Sequence, residues 1–584
     1  MWCGCAAPPA FDYRVPPQPE GPSGWVDKPG WATTRFAVAA ANPLATDAGY
    51  QVLKAGGTAI DAAIAVQMVL TLVEPQSSGI GGGAFVLHWD GARIDAYDGR
   101  ETAPAAASER LFVRADDTTM PFAEAVVGGR SVGVPGTLRV LQLAHQRHGR
   151  LPWATLFAPA IRLAEQGFRV SPRLHAALAG DAALRGTPNA AAFYFAPDGK
   201  PWPVGHELKN PALAAVLRRV AGEGPDALHR GPIAADFVRR VRTHATNPGA
   251  MTEADLLHYE PKQRMAICTD WRAIYRVCGL PPPSSGHLAV MQILKLIDFA
   301  PPVAQALRDG VPSAEFLHVY TEAARLAFAD RALYVADPDF VAPPAGDWAQ
   351  LLDDAYLRER ARLIGERSLR TAPPGVPGGV PRARAPMAPQ PESGTSHISI
   401  VDAEGRAIAM TTTIEGVFGS KLLADGGTGL PGGYMLNNEL TDFSFAPADA
   451  QGAAVANRVQ GGKRPRSSMS PTLVFDRRDG RLLMSLGSPG GAGIIHYTAK
   501  TLIATLDWGL DAQRAIALPN FGSTNGPTLL ERGRFAQSTI DALVARGHAV
   551  NETDLTSGLQ AIQRTPGGWF GGADPRREGI VAGD

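Results

Sequence analysis

The sequence predicts an α+β fold in which helices and sheets pack in layers. Helical spacing and short strand-like runs are mixed through the first part of the chain, and two hairpin patterns with helices occupy the C-terminal part. This order is typical of layered α+β domains. The chain has 584 residues, of which 45% are hydrophobic, so it can bury a substantial core as one large domain or as several.

The charge balance and the apolar pattern exclude several classes of partner. With 56 basic and 56 acidic residues the formal charge is zero, so no overall field favours nucleic acid or an anionic membrane. The most apolar stretch, Ala59–Val73, is short and contains Asp61 and Gln67, which predicts a core helix and no transmembrane segment. Neither a P-loop nor zinc-ligand spacing occurs in the sequence. We therefore expect a small-molecule substrate, no metal and no other cofactor.

A helical hairpin is predicted near the start of the chain. It consists of residues 43–55 and Ala59–Val73, with Gly56 and Gly57 as the C-terminal cap between them. Further helical spacing covers residues 136–148, 153–166 and Ala314–Tyr334. Strand-like runs cover residues 84–89, 265–268 and 274–278.

The chain contains four cysteines, whose roles stay open at this level. Cys268 and Cys278 flank an apparent hairpin and would pair in an oxidising compartment, whereas reduced, packed thiols fit the sequence at least as well. Cys3 and Cys5 lie in a Pro- and Gly-rich segment that we expect to be a flexible tail over residues 1–35. They are either incidental or remnants of a lipoprotein signal that starts upstream. No intact signal peptide is visible there, so the localisation stays unassigned.

A linker is predicted directly ahead of a hairpin. Pro, Gly and Ala dominate residues 371–392, a composition that sustains neither a helix nor a central strand. Ser396–Val401 and residues 407–414 then show two strand patterns joined by a four-residue loop. The linker, taken as residues 370–394, therefore ends at Gly394, and Thr395 stands at its junction with the hairpin.

The Gly394-Thr395 junction suits an internal acyl shift. Glycine hinders attack little, so the Thr395 hydroxyl can attack the Gly394 carbonyl to form an ester, which water then hydrolyses. The freed α-amine has a pKa of about 7.7 to 8.0 and can act as general base for its own hydroxyl. Counting across the hairpin loop places Thr395 opposite Thr412, or opposite Thr413 if the register moves by one. Threonine is also common in strands through propensity alone, so this pattern by itself is weak.

Two glycine-rich segments accompany the hairpins. A second hairpin pattern, residues 472–475 and 482–486, leads into a glycine-rich turn over 487–491 and a helix over 492–506. Such a turn aims backbone N–H groups at one point and suits an oxyanion, but without Thr395 a tight strand-to-helix connection is the preferred interpretation. Residues 79–83 lack the Lys of a P-loop, which favours a tight backbone path near the active site or inside the core.

Ten stretches along the chain share the motifs of one enzyme family. They are EPQSSGIGGGAF, DGRETAP, SVGVPGT, PPPSSGH, EAARLAFADRALYVADPDF, GTSHISIVD, TTTIEGVFGS, LNNELTDFS, KRPRSSMSPT and GSPGG. In this order and combination the chain resembles γ-glutamyltranspeptidase, also called glutathione hydrolase, from about Phe36 to beyond Phe570. The resemblance implies a four-layer αββα sandwich of the N-terminal-nucleophile hydrolase type. It also implies self-cleavage between Gly394 and Thr395 into a large subunit (36–394) and a small catalytic subunit (395–584), which form a heterodimer.

The same resemblance implies γ-glutamyl transfer by a ping-pong mechanism. Thr395 would attack the γ-glutamyl amide of glutathione and related compounds, and water or an amino-acid or dipeptide acceptor would resolve the resulting ester. Thr413 matches the threonine that hydrogen-bonds to the nucleophile. Gly490 and Gly491 match the oxyanion hole.

The substrate's amino-acid head needs partners of both charges. By resemblance, Arg100 binds the α-carboxylate with the help of Ser467 and Ser468. Glu439 and Asp442 match the carboxylates that hold the α-ammonium, and Glu415 stands where the best-known members carry Asn. These three acids imply a more acidic ammonium site, in which one carboxyl stays protonated without ligand.

Two alternatives remain beside the main interpretation. A cephalosporin or glutaryl-amide acylase of the same superfamily would share Thr395, Thr413 and the glycine turn, but a glutaryl group has no ammonium for the acidic residues to bind. A binding protein that never matures is the other alternative. The segment 444–463, which corresponds to the family's variable lid, contains no tyrosine, and this favours hydrolysis over transfer.

Overall fold

Two seven-stranded sheets form the centre of the protein, whose computed structural model describes residues 24–379, 384–392 and 394–584. All neighbouring strands within each sheet pair antiparallel. Sheet I contains, in spatial order, Ile580–Gly583, Ala37–Ala40, Ser396–Val401, Ala407–Thr413, Gly83–Trp89, Ile94–Gly99 and Lys262–Arg264. Sheet II contains Trp31–Thr33, Gly568–Ala573, Gln560–Thr565, Leu482–Gly487, Thr472–Asp476, Tyr275–Gly279 and Ile267–Trp271. This mixed architecture agrees with the predicted α+β class.

Short strands and many helices surround the two sheets. The short strands are Leu307–Arg308 with Val311–Pro312, Leu423–Ala424 with Tyr434–Met435, Phe168–Arg169 with Glu207–Leu208, and Phe521–Gly522 with Thr528–Glu531 and Val550–Thr553. The α-helices are Pro43–Lys54, Ala59–Val73, Phe122–Val126, Thr137–His148, Ala158–Gln166, Pro172–Gly180, Ala182–Arg185, Pro188–Tyr194, Pro211–Glu223, Asp226–His229, Gly231–Arg242, Glu253–Leu257, Gly286–Phe299, Ala314–Tyr334, Asp354–Ala361, Gly493–Leu506, Ala512–Ala517 and Gln537–Ala545. Among the helices of the described residues, none has the length and apolarity that a membrane span requires.

The predicted helical hairpin forms, and its ends are capped as its sequence dictates. The Asn42 side chain accepts a hydrogen bond from the Leu44 N–H at the start of Pro43–Lys54. Thr58 and Asp61 form a capping box at the start of Ala59–Val73. Every residue of this second helix is buried, so it is a core helix as predicted.

Three apolar clusters hold the elements together. Ala39, Phe85, Leu473 and Ile562 belong to a cluster whose members come from both sheets, so this cluster lies between them. A second cluster joins the helical hairpin to sheet I. A third joins the helices Gly286–Phe299, Ala314–Tyr334 and Gly493–Leu506 to sheet II. Because side chains point alternately to the two faces of a sheet, each sheet contributes side chains to two of these clusters, one on each face.

The predicted strand over residues 265–268 is wrong in its bounds. The chain leaves sheet I at Arg264 and enters sheet II at Ile267, and Met265 between them is 87% exposed. The run therefore spans a crossing between sheets. Cys268 and Cys278 face each other in the following hairpin and form a disulfide, which decides the alternative that the sequence left open.

Other boundaries differ by smaller amounts. The predicted helix 153–166 begins as the 3₁₀ turn Trp153–Phe157 and becomes α-helical at Ala158. In the described part of the linker, only Pro377–Gly379 forms a helical turn. Residues 1–23, with Cys3 and Cys5, lie outside the described residues. The expectation of a tail through residue 35 is wrong for Trp31–Thr33, which pair with Gly568–Ala573 at the edge of sheet II.

Candidate functional site

The junction between Gly394 and Thr395 has an unusual backbone conformation. Gly394 has φ +87° and Thr395 has φ +96°, and a β-branched residue at positive φ is strained by about 1–3 kcal/mol. A Cβ at Gly394 would lie 1.9 Å from the Glu415 carbonyl oxygen, so only glycine fits there. The Thr395 N–H donates to the Ser77 carbonyl at 3.0 Å, which holds this conformation.

Thr395 lies beside a second buried threonine. Ser396 pairs with Thr412 across the hairpin, so Thr395 lies at the level of Thr413, the second of the two predicted registers. The Thr395 and Thr413 hydroxyl oxygens are 3.2 Å apart. The Thr413 hydroxyl also accepts the Glu415 N–H at 2.8 Å, which orients it toward Thr395.

The glycine-rich segment 79–83 runs against the strand that carries Thr413. A Cβ at Gly82 would lie 2.0 Å from the Thr413 carbonyl oxygen, and a Cβ at Gly81 would lie 2.3 Å from that of Met435. The segment is therefore a tight backbone path, as the sequence analysis expected. Its glycines allow Ser77 and the Thr413 strand to approach each other.

The second glycine-rich turn lies at the end of the linker. Gly490 and Gly491 have φ +129° and +56°, and a Cβ at Gly491 would lie 2.1 Å from the Glu392 carbonyl oxygen. The helix Gly493–Leu506 follows directly. A cavity of about 470 Å³ has both Gly394 and Gly490 in its wall, so the turn and the Gly394-Thr395 junction open into one space.

Arg100 is buried and paired with acidic residues. Its guanidinium forms ion pairs with Glu439 and Asp442 and donates to the carbonyls of Pro465 at 3.2 Å and Arg466 at 3.0 Å. The family resemblance implies that these charges bind opposite ends of a substrate. In the structure they bind one another, because a buried guanidinium needs carboxylate partners.

More carboxyls converge here than Arg100 can neutralise. Burial is the largest cause that raises the pKa of Asp442 to about 8, with Arg100 opposing and Glu392 and Glu439 adding to the rise. Burial likewise raises the pKa of Glu101 to about 8. Burial also raises the pKa values of Glu415 and Glu439 well above the ordinary glutamate value. Neighbouring acids add to both rises, and Arg100 opposes the rise at Glu439.

Several oxygens of these acids are unsatisfied. Among the described residues, no hydrogen-bond partner meets Glu415 Oε1, Glu439 Oε2, Asp442 Oδ1 or either carboxyl oxygen of Glu101. The other oxygen of Glu415 accepts from the Asn438 side-chain amide. Buried acceptors of this kind cost free energy unless a donor reaches them, so the cluster has the chemistry to receive a cationic group with several N–H donors.

The two serines of KRPRSSM have hydrogen-bond partners within the protein. Ser468 Oγ donates to the Glu392 carboxylate at 2.6 Å and accepts from Arg331 Nη2 at 2.5 Å. Arg331 Nη2 also lies 3.1 Å from Glu392 Oε1. Ser467 Oγ accepts the Met469 N–H at 3.2 Å. In the described structure neither serine hydroxyl bonds Arg100.

Sequence reasoning missed Arg331 and Glu392. Both carried a signal. Arg331 is a charged residue near the end of the helix Ala314–Tyr334, most of whose residues are buried, and Glu392 is the single carboxylate of the segment 371–392. The composition of this segment predicts a linker and gives no weight to a single carboxylate.

The groups of side chains among the described residues that could hold a metal ion lie elsewhere. Two clusters have suitable ligand atoms: one is His88, Asp95 and His148, and the other is His318, Glu322 and His548. Neither cluster contains a predicted site residue. The chemistry available around Thr395 is therefore that of hydroxyls, carboxylates, an arginine pair and backbone N–H groups.

Comparison with known proteins finds relatives over nearly the whole chain. A family model described as Gamma-glutamyltranspeptidase matches residues 45–584. A glutathione hydrolase proenzyme of Bacillus subtilis (strain 168) is 34% identical over 94% of this chain and 91% of its own length. An acylase ACY 1 proenzyme of Pseudomonas sp. (strain V22) is 34% identical over 92% of each chain. A solved structure of cephalosporin acylase from Bacillus halodurans has a TM-score of 0.82 and 28% identity, with 98% of this chain and 99% of that chain covered.

Proposed function

The chain belongs to the γ-glutamyltranspeptidase family, and on that premise we propose that it is a self-cleaving γ-glutamyltransferase and glutathione hydrolase whose nucleophile is Thr395. The observation that carries the proposal is the 3.2 Å contact between the Thr395 and Thr413 hydroxyls beside a strained Gly394-Thr395 bond. The finer architecture is part of the proposal. Two facing sheets covered by helices correspond to a four-layer αββα sandwich, built as one domain from two subunits.

Maturation follows from the geometry of the junction. The Thr395 Oγ1 atom attacks the Gly394 carbonyl carbon, the peptide C–N bond breaks, and an ester joins Gly394 to the threonine side chain. Water then hydrolyses the ester, which leaves a carboxylate on Gly394 and a free α-amine on Thr395. Loss of the strained φ at Thr395 favours the products. The fragments 36–394 and 395–584 stay together as a heterodimer because both contribute strands to each sheet.

Turnover uses the same hydroxyl. The free α-amine of Thr395 accepts the hydroxyl proton while Oγ1 attacks the γ-glutamyl carbonyl, and the proton passes to the leaving amine, which is Cys-Gly for glutathione. Backbone N–H groups of Gly490 and Gly491 stabilise the oxyanion, an interaction for which the loss of one donor typically costs about 100 to 1000 fold in rate. Water, an amino acid or a dipeptide resolves the ester. Thr413 holds the nucleophile in position.

The acidic cluster supports an amino-acid head as the bound group. Glu415, Glu439 and Asp442 are buried with unsatisfied oxygens, and an α-ammonium supplies three N–H donors and the missing positive charge. Arg100, with Ser467 and Ser468, is assigned to the α-carboxylate. When the substrate binds, its α-carboxylate would pair with Arg100 and its α-ammonium with the acids. These pairs would replace the ion pairs that Arg100 and the acids now form with each other.

Glu392 supports the position of the carboxylate site. In the uncut chain Ser468 and Arg331 already bind a carboxylate, that of Glu392. We assign to Glu392 the place that the substrate α-carboxylate takes later. Cleavage turns Glu392 into a residue near a free C-terminus, so it can leave and open the site. Arg331 then joins Arg100 as a carboxylate-binding residue.

An acylase acting on glutaryl amides is the second candidate. Its support is specific, because an acylase proenzyme is similar over 92% of this chain and a cephalosporin acylase structure over 98% of it. A glutaryl group lacks an ammonium, so it would leave Glu415, Glu439 and Asp442 without a cationic partner. The burial of these acids therefore favours the γ-glutamyl substrate.

Product release separates the candidates. Purified protein is incubated with glutathione or with a glutaryl amide, each with and without a dipeptide acceptor, and glutamate, glutarate and transfer product are quantified. We expect release of glutamate from glutathione and little release of glutarate from the glutaryl amide. With the dipeptide acceptor present, we expect more product of hydrolysis than of transfer. Preferential release of glutarate would establish the acylase. If the fully folded chain turns over neither substrate, the remaining interpretation is a binding protein that does not mature.

A further inference from the structure

A cluster of metal-ligand side chains lies on sheet I away from the proposed active site. His88 and Asp95 face each other across the antiparallel strands Gly83–Trp89 and Ile94–Gly99. His148 is the last residue of the helix Thr137–His148. One ligand-type atom from each of the three lies within 4.8 Å of the other two.

His88 is buried without a hydrogen-bond partner. Its side chain has no solvent exposure, and neither ring nitrogen meets a donor or acceptor among the described residues. Its ring centroid is 4.1 Å from that of His148. A buried imidazole with both nitrogens unsatisfied is costly, and a bound cation at the cluster would satisfy one of them.

The His148 ring is oriented by two oxygen atoms. Its Nε2 atom lies 3.0 Å from Asp95 Oδ2 and 2.8 Å from the Tyr97 hydroxyl. The same nitrogen faces Asp95 Oδ2, so these two atoms are already close enough to each other to bind one metal ion. A metal at this point would take the nitrogen lone pair, and Tyr97 would remain beside the site.

From these contacts we propose that His88, Asp95 and His148 form a zinc site. Two imidazoles and one carboxylate are a ligand set that Zn²⁺ prefers, with ligand distances of about 2.0–2.2 Å. Binding requires small side-chain movements that bring the three ligand atoms, which lie within 4.8 Å of one another, around one ion. Water takes the fourth position.

The site is accessible from outside. The Asp95 side chain is 22% exposed and that of His148 is 14% exposed. An ion from solvent can therefore reach Asp95 and His148, beside which His88 lies.

The position of the site indicates a stabilising role. His88 pairs with Ile408 on the strand whose other end, Thr413, pairs with Gly83. The metal would tie the helix Thr137–His148 to the strands Gly83–Trp89 and Ile94–Gly99, and the second of these leads into Arg100. It would not touch the reacting atoms.

Zinc binding by the full chain tests the proposal. Chelator-treated protein is dialysed against Zn²⁺ and its metal content is measured, and Co²⁺ is added in parallel as a spectroscopic probe of a tetrahedral site. We expect one Zn²⁺ per chain, a tetrahedral Co²⁺ spectrum and a metal-dependent rise in Tm. Asp95→Asn and His148→Ala should each weaken binding by about 10- to 100-fold or more.

The control is His258→Ala, which removes an exposed histidine and should bind Zn²⁺ as the unmodified chain does. A third variant, His88→Ala, removes the buried ligand and is therefore at risk of not folding. Asp95→Asn preserves the shape of its side chain, so it keeps the test valid if His88→Ala fails to fold. Absence of stoichiometric binding by the folded chain would overturn the proposal. Unchanged affinity in both Asp95→Asn and His148→Ala, or loss of binding in His548→Ala instead, would place any bound metal elsewhere and overturn it as well.

Discussion

The Thr395 and Thr413 hydroxyl oxygens lie 3.2 Å apart at the start of a buried hairpin. The strand register produces this contact, since Ser396 pairs with Thr412 and the next level brings Thr395 to Thr413. Thr413 in turn accepts the Glu415 N–H. The proposed nucleophile, Thr395, is thus oriented by a hydroxyl that the backbone itself holds in place.

Loss of the Thr413 hydroxyl should slow both cleavage and turnover. Thr413→Val keeps the shape but removes the acceptor for Thr395 and leaves the buried Glu415 N–H unpaired. A lost buried hydrogen bond costs about 1–3 kcal/mol, or roughly 5- to 150-fold in rate. The rate of fragment appearance and kcat on glutathione measure this. Thr413→Ser is the matched control and should retain most activity; equal rates for Thr413→Val and the unmodified protein would contradict the assigned role.

Gly394→Ala should block maturation. The new Cβ would lie 1.9 Å from the Glu415 carbonyl oxygen at a φ of +87°, so the Gly394 carbonyl must move away from Thr395. We expect the precursor to persist at least about tenfold longer, since the strained φ alone costs about 1–3 kcal/mol. Gly222→Ala serves as control, because Gly222 lies in a helix with open space around it. Maturation of Gly394→Ala at the normal rate would show that this packing is irrelevant to cleavage.

Arg331 and Glu392 should differ in their effects on the mature enzyme. Arg331→Lys keeps the charge but has a single nitrogen, so it cannot donate to Ser285, as Arg331 Nε does, while also meeting Ser468 and a carboxylate, as Nη2 does. KM for glutathione should therefore rise by about tenfold or more. Glu392→Gln should leave kcat and KM of the matured protein unchanged, because Glu392 leaves the site on cleavage. Steady-state kinetics on both matured variants check this pair. A raised KM in Glu392→Gln, or none in Arg331→Lys, would refute the assigned exchange of carboxylates.

The buried acid Glu101 should make stability pH-dependent. Its pKa is raised from 4.5 to about 8, so the folded chain holds a proton that the unfolded chain loses above about pH 4.5. The extra stability from this group is fully present below pH 4.5 and is lost as the pH rises toward 8, at up to about 1.4 kcal/mol per pH unit. Thermal melts of Thr395→Ala, which stays uncut, between pH 4.5 and 8 should show this slope.

The comparison for that slope is Thr395→Ala combined with Glu101→Gln, which should reduce the slope by up to about 1.4 kcal/mol per pH unit, while Asp442, Glu415 and Glu439, whose pKa values are also raised, keep their own contributions. Glu366→Gln in the same background removes an exposed glutamate and should leave the slope unchanged. If Glu101→Gln and Glu366→Gln give superimposable pH profiles, Glu101 does not carry a proton in the folded chain.

Local patterns in the sequence predicted much of the fold. The helices Ala59–Val73 and Ala314–Tyr334 and the strand Ser396–Val401 appear with the predicted bounds, because caps, apolar spacing and turn residues act over a few neighbours. The crossing at residues 265–266 was missed. The sequence there has a strand-like pattern. The change from sheet I to sheet II depends on pairing with strands that are distant in the sequence, which a local pattern does not show.

The candidate site was predictable to a lesser extent. Spacing across one hairpin brought Thr395 to Thr412 or Thr413, but Arg331 and Glu392 meet Ser468 from distant parts of the chain. The same holds for the pairing of Arg100 with Glu439 and Asp442. Such pairings depend on which charged side chains are buried and shielded from water, and residue spacing alone does not predict this.

Mass spectrometry and N-terminal sequencing of the purified protein test the central claim most directly. The account predicts two fragments under denaturing conditions, the shorter of which begins at Thr395, and a single uncut chain for Thr395→Ala. A persistent single chain for the unmodified protein, or a shorter fragment that begins at any other residue, would contradict it.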